Sequence, residues 1–146
     1  MPDVNPEPGT ARDWLARARG KLALARTALP DNGFLEDLCF CAQQAAELAI
    51  KAVYVQHGWM FDYVHNLRKL LDGLEQKALT VPEEVQEADK LSIYAVQTRY
   101  PGIYARVTET KYAEAVKVAE AVVTWAGTLI QGHNDGNDFP RPKQSA

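Results

Sequence analysis

The sequence is poor in the residues that form metal sites and disulfides. Its 146 residues include two cysteines and three histidines, and the cysteines, Cys39 and Cys41, are two positions apart. At that spacing on a helix the two thiols point to different faces, so we expect no disulfide between them. No second cysteine pair and no His-Glu-x-x-His motif is present to bind zinc. We therefore expect no metal, no cofactor and a reducing, cytoplasmic location.

Charge and hydropathy argue against two further classes of protein. Sixteen basic and nineteen acidic residues give a formal charge of −3, whereas a duplex-DNA binder usually carries a strongly basic face. No apolar run approaches the roughly 18 residues of a membrane span. The N-terminus, which contains Asp3 and Glu7, lacks the pattern of a signal peptide. We expect one soluble domain with neither membrane nor duplex DNA as a partner.

Helical periodicity is the main pattern that is present. Apolar residues recur at helical spacing, and turn signals divide them into five segments. The predicted helices span 10–29, 35–57, 65–79, 83–98 and 108–131. Thr10 is expected to cap the first, and Thr80 with Glu83 to form a capping box for the fourth. We predict an all-α fold, an antiparallel up-and-down four-helix bundle with an additional short helix, over residues 10–131, with flexible segments at 1–9 and 132–146.

The second helix combines a small-residue stripe with a group of polar residues. Alanines at 42, 45, 46, 49 and 52 would let a neighbouring helix approach closely. The polar residues set among them are Gln43, Gln44, Glu47 and Lys51. The ordinary interpretation of Glu47 and Lys51 is a surface pair four residues apart, which contributes a few tenths of a kcal/mol, roughly, to stability.

The predicted chain reversals bring basic and aromatic residues to one end of the bundle. There the C-terminal ends of helices two and four would meet the N-terminal ends of helices three and five. The residues at this end are Lys51, His65, Arg99, Arg106 and Lys111, with Trp59, Phe61, Tyr63, Tyr100 and Tyr104. Such a mixture suits a nucleotide or single-stranded RNA, although loop aromatics also commonly close the end of a bundle.

Three motifs resemble those of the HEPN domain family. They are Cys-Phe-Cys-Ala-Gln-Gln-Ala-Ala-Glu-Leu-Ala-Ile-Lys-Ala at 39–52, His-Asn-Leu at 65–67 and Thr-Arg-Tyr-Pro-Gly at 98–102. The resemblance implies a helical bundle that often dimerises and binds nucleotide or RNA. It also implies a minimal nucleotidyltransferase partner, in some cases within a toxin–antitoxin pair. The family-typical polar positions, which we predict to bind ligand, are Gln44, Glu47, Lys51, His65, Arg99 and Tyr100.

One departure from the family bears on catalysis. The ribonuclease branches carry an arginine, four to six further residues and then a histidine, whereas Tyr104 occupies that place after Arg99. A phenol is a poor base at neutral pH. We therefore favour a binding module over an enzyme. The alternative is an atypical, metal-independent endoribonuclease that uses Arg99 with Tyr104, or a composite site at the Arg99 end built across a dimer with His65. A plain helical adaptor is a third possibility.

We also expect a homodimer. Trp14 on the first helix and Trp125 on the last are large side chains, and either of them, if exposed, would anchor self-association.

Overall fold

The computed structural model describes residues 5–130, and all the regular secondary structure in this range is helical. The helices are α1 (Ala11–Ala25), α2 (Leu35–His57), α3 (Leu67–Gln76), α4 (Glu83–Gln86), α5 (Ile93–Gln97) and α6 (Glu109–Ile130), with a 3-10 segment at Glu87–Leu91 between α4 and α5. The predicted all-α fold is confirmed. The segment 132–146, which the sequence predicts to be flexible, and residues 1–4 of the predicted N-terminal segment lie outside the described residues.

α2 is the central helix and has the predicted bounds. It ends at Gly58, whose φ of 71° gives the left-handed conformation that glycine adopts without strain. The five alanines of the small-residue stripe are completely buried, as predicted, and α1 and α6 pack closely against α2. By length and composition α2 could cross a membrane, but most of it is buried within the bundle, as in a core helix.

α1 lies antiparallel to α6 and ends earlier than predicted. Thr10 caps it as expected, since its side chain accepts the backbone N–H of Asp13 at 3.2 Å. The helix stops at Ala25 rather than near Pro30, because the Thr27 hydroxyl donates to the Leu24 carbonyl and closes the last turn. Two contacts give the antiparallel direction. The Tyr112 hydroxyl, near the start of α6, donates to the carbonyl of Ala25 at the end of α1. Gly127, near the end of α6, lies against Arg19 in the middle of α1.

The predicted fourth helix is not continuous. It consists of α4, the 3-10 segment and α5, and Thr80 does not form the predicted capping box, because Pro82 precedes α4 without a side-chain cap. Within the 3-10 segment Ala88 and Leu91 are both buried and three positions apart, so three residues per turn keep them on the same side.

The aromatic connector at 58–66, rather than α3, reverses the chain after α2. Trp59 contacts Tyr54, Phe61 lies beneath the Lys51 ammonium, and His65 reaches Glu47, so the connector runs back along α2. α3 begins at Leu67, two residues later than predicted, because Asn66 caps it. It then follows the direction of α2 again, since the Tyr54 hydroxyl donates to the Leu70 carbonyl.

The predicted gathering of basic residues at one end is therefore wrong. The segment 83–97 runs antiparallel to α2, so the chain that follows it lies near the N-terminal end of α2. There Arg106 Nε lies 3.5 Å from Glu36 Oε2. Lys51 follows Glu36 by fifteen residues, a rise of about 22 Å along the helix. Lys111 lies at the same end of the bundle as Arg106, because the hydroxyl of its neighbour Tyr112 donates to the carbonyl of Ala25, the last residue of α1. The prediction assumed that the third helix spans the length of the bundle, but α3 is only ten residues long.

Two glycines test the packing of α3 against α2. A Cβ on Gly73 would lie 2.2 Å from the Tyr54 hydroxyl oxygen, whereas a Cβ on Gly20, in the exposed middle of α1, would meet nothing within 4 Å. Gly73→Ala must displace a buried hydrogen-bonded hydroxyl, and we expect it to lower the free energy of unfolding by about 1–3 kcal/mol. Gly20→Ala is the matched control and should raise it by about 0.5–1 kcal/mol. Urea denaturation measures both, and equal stabilisation by the two changes would contradict the packing described.

Candidate functional site

The candidate site is a hydrogen-bonded cluster centred on the Glu47 carboxylate. Lys51, one turn later on α2, places its Nζ 2.8 Å from Oε2. Gln43, one turn earlier, donates from Nε2 to Oε1 at 2.9 Å. The connector contributes His65, whose Nδ1 lies 3.1 Å from both carboxylate oxygens. The spacing of four residues places the three α2 side chains on one face, and the path of the connector brings the imidazole to them.

Three members of the cluster are buried and the fourth is not. Gln43, Glu47 and Lys51 are 1%, 8% and 6% exposed, whereas the His65 side chain is 65% exposed. The predicted surface ion pair is thus an internal one. Because removing two charges from water is costly, such a pair is stable only when further hydrogen bonds satisfy its atoms.

The electrostatics of the cluster keep Glu47 ionised. Burial by itself raises the pKa of Glu47, but hydrogen bonds from Lys51, Gln43 and His65, together with the positive charge of Lys51, outweigh burial and hold the pKa below its ordinary value. An ionised carboxylate only accepts hydrogen bonds, so the proton between Glu47 and His65 belongs to Nδ1. The cluster therefore fixes both the orientation and the tautomer of the imidazole.

Aromatic rings hold the connector in place beside the cluster. The Phe61 ring lies 5.3 Å from Lys51 Nζ and makes edge contacts with Trp14 and Tyr54, each at 5.6 Å between ring centroids. The Trp59 ring stacks on His57 at 4.2 Å. These two connector aromatics pack against the bundle, whereas Tyr63 is 92% exposed and touches Phe61 with one edge. One ring of the connector, two residues before His65 in the sequence, is thus open to solvent.

The structure includes a residue in the cluster that the predicted ligand set omits. Gln43 is almost completely buried and bonds Glu47, while Gln44, the predicted ligand residue, is half-buried beside it. A signal was present in the sequence, because Gln43 and Lys51 stand at equal distances on either side of Glu47. Gln44 is offset from that face by one residue, or about 100° around the helix.

Arg99, Tyr100 and Tyr104 lie on the exposed turn between α5 and α6. The turn is closed by Gln97, which donates to the Ala105 carbonyl at 3.0 Å. Tyr94, just before it, lies beside Cys39, which precedes Glu47 on α2 by eight residues, or about 12 Å. Within residues 5–130, no hydrogen bond or ion pair joins the turn to the Glu47 cluster. The structure thus brings together Glu47, Lys51 and His65, but not the remaining predicted residues.

The described part of the chain contains no group of three or more His, Cys, Asp or Glu side chains arranged to hold a metal ion. The side chains of the Glu47 cluster present a carboxylate, an ammonium, an amide and an exposed imidazole.

Removing one partner of the buried pair should destabilise the protein far more than removing both. Glu47→Leu leaves the Lys51 ammonium buried without a counter-charge, so we expect it to lower the free energy of unfolding by about 3–5 kcal/mol. The double change Glu47→Leu with Lys51→Met leaves no unpaired charge and should restore most of that loss. Chemical denaturation of the two single variants and the double variant completes the cycle. Additive losses would show that the two side chains do not form the described pair.

Comparison with known proteins agrees with this arrangement of helices. The HEPN domain family matches residues 11–129. The crystal structure of an archaeal HEPN homologue is similar to this chain, with 26% sequence identity and a TM-score of 0.66, and the match covers 83% of this chain and 98% of that one. No curated protein matches the sequence at a significant level. Because the family match runs from the first turn of α1 to the last turn of α6, the chain belongs to the HEPN domain family.

Proposed function

We propose that this chain is a HEPN module that binds a nucleotide or single-stranded RNA and acts in complex with a minimal nucleotidyltransferase, as in a toxin–antitoxin pair. A hydrogen-bonded series that leads from buried Lys51 through Glu47 to exposed His65 carries the binding part of this proposal. The series connects an internal charge pair to a ring that is accessible to ligand.

Stability alone does not account for these polar residues. A lysine and a glutamate inside a bundle are commonly replaceable by apolar side chains of similar volume without loss of stability. The Lys51 ammonium has three N–H donors and makes one hydrogen bond, to Glu47, among the residues described. Spare donors on a buried cation are a feature of sites that receive an anion or an ordered water.

Neighbouring groups fit the other parts of a nucleotide. The exposed Tyr63 ring stands two residues before His65 and offers a flat face on which a base can stack. Arg99 and Tyr100, on the turn after α5, are suitable for more distant phosphates and bases of the same strand. A strand of several nucleotides, rather than a mononucleotide, would be needed to span the two regions.

Binding should depend on the exposed members of the site. We expect His65→Ala to weaken the binding of a fluorescent single-stranded oligoribonucleotide about tenfold or more, because it removes a preoriented hydrogen-bonding group worth about 1.5 kcal/mol. Arg99→Ala should weaken binding of a long oligonucleotide more than that of a mononucleotide. Lys117→Ala, which removes an exposed charge from α6, is the matched control.

Fluorescence anisotropy at constant salt measures these affinities. Unchanged binding in both His65→Ala and Arg99→Ala would contradict the proposed site. Loss of intact RNA in metal-free buffer, abolished by His65→Ala or Tyr104→Phe, would instead support the endoribonuclease alternative.

Exposed apolar side chains support association with other proteins. Trp14 is half-buried against Phe61, and Trp125 is also half-buried, so neither is the open anchor that a dimer through these residues requires. Among residues 5–130, other exposed apolar side chains lie on α5 and the following turn: Ile93, Val96 and Ile103. We propose that this group contributes to the homodimer or to the nucleotidyltransferase complex.

Association can be measured directly. The chain should sediment as a dimer at tens of micromolar, roughly, or co-purify with a nucleotidyltransferase encoded beside it, and Ile103→Asp should weaken whichever association occurs because it places a charge within the apolar group. Met60→Asp is the matched control, since Met60 is also an exposed apolar residue, 90% exposed against 69% for Ile103, but lies on the connector. A monomer that binds no such partner would refute this part of the proposal.

A further inference from the structure

We infer that Arg106 binds a backbone phosphate of the nucleic-acid strand and that Phe34 and Glu36, at the start of α2, hold it in position. This inference rests on the proposed function, to which it adds a second anchoring point for the strand. Glu36 precedes Glu47 by eleven residues, so this point lies roughly 16 Å along α2 from the Glu47 cluster.

Contacts on both sides of Arg106 fix its position. The guanidinium carbon of Arg106 lies 4.9 Å from the centroid of the Phe34 ring. The next residue, Val107, donates its backbone N–H to Glu36 Oε2 at 3.1 Å, and the carbonyl of the preceding residue accepts a hydrogen bond from the Gln97 side chain at 3.0 Å. Because the backbone is tied and the side chain rests on a ring, little conformational freedom remains to be lost on binding.

The Arg106 guanidinium nevertheless keeps its hydrogen-bond donors. Its Nε lies 3.5 Å from Glu36 Oε2, outside the range of about 2.7–3.2 Å for an N–H···O bond. The Arg106 side chain is 77% exposed, and its five N–H donors form no hydrogen bond with a residue in the range 5–130. By contrast Arg17, which is 67% exposed, donates from Nε to Asp13 at 3.0 Å. Arg106 is thus an oriented cation whose donors are accessible to a ligand.

An oriented guanidinium selects an anion with two oxygens that can accept its planar fork, and a phosphodiester group provides them. The surroundings of Arg106 favour a nucleic-acid strand as the source of that phosphate. The connection 98–108 contains two basic and no acidic residues. It also carries Tyr100 and Tyr104, which are 53% and 39% exposed and offer rings on which bases can stack.

Salt titration of oligonucleotide binding tests the inference, with fluorescent oligo(U) and its 2′-deoxy form as probes. We expect Arg106→Ala to weaken binding about fivefold at roughly 0.1 M salt and to reduce the slope of log affinity against log salt by about 0.7, the value for one phosphate contact with a single strand. Both probes should lose affinity equally, because both carry the phosphate. Arg17→Ala is the matched control and should leave the slope unchanged.

The role of the Phe34 ring has its own test. Phe34→Leu leaves the charge of Arg106 in place but removes the ring that orients it. We expect this change to weaken binding about two- to fivefold without altering the salt slope. Thermal unfolding followed by circular dichroism should give the same midpoint for Arg106→Ala as for the wild-type protein, because the Arg106–Glu36 pair is exposed on the arginine side.

The outcomes separate this inference from the proposed function. If the wild-type protein binds both probes and Arg106→Ala binds them with unchanged affinity and slope, the inference is overturned and the proposed function stands. Wild-type affinity in Phe34→Leu would overturn the positioning role of the ring. Displacement of oligo(U) by poly(glutamate) as effectively as by unlabelled oligo(U) would also overturn the inference, because a carboxylate would then be the ligand. If the wild-type protein binds neither probe, both are overturned.

Discussion

A buried carboxylate needs hydrogen-bond donors, and the path of this chain depends on which residues supply them to Glu47. Two come from its own helix, because Gln43 and Lys51 stand one turn away on either side. The third, His65, comes from a segment that is eighteen residues distant in the sequence. To supply it, the connector must run back along α2 instead of leaving the bundle. The charge requirement of one side chain thus determines the path of nine residues, and the aromatic rings of the connector secure that path by packing on α2.

The directions of the later helices follow from this reversal of the chain by the connector. Because the connector makes the reversal, α3 follows α2, the segment 83–97 runs antiparallel to both, and α6 begins beside Glu36. The basic residues that the sequence predicts at one end are consequently divided between the two ends of α2. The same arrangement leaves an internal ion pair connected to a single exposed ring, which is the feature on which the proposed binding function depends.

Features decided by local chemistry could be predicted from the sequence, and features decided by tertiary contacts could not. The bounds of α2 follow from its alanine stripe and from Gly58, and the Thr10 cap follows from one hydroxyl. The family and the positions Glu47, Lys51 and His65 follow from recognisable motifs. The interruption of the fourth helix does not, because no proline or glycine within 83–97 marks where the winding changes. The sequence also does not show that Gln43 rather than Gln44 bonds Glu47. Both lie about one turn before Glu47, and only the packing of α2 shows which one faces the cluster.

The tautomer of His65 tests the account most directly, because it reports whether the Glu47 carboxylate holds the ring. Nitrogen chemical shifts of the imidazole, measured by NMR at about pH 8 on uniformly labelled protein, distinguish a protonated Nδ1 from a protonated Nε2. We expect Nδ1 to carry the hydrogen in the wild-type protein and the ring to lose this preference in Glu47→Gln, with His57 unchanged as the internal reference. A neutral ring with its hydrogen on Nε2 in the wild-type protein would contradict the described cluster.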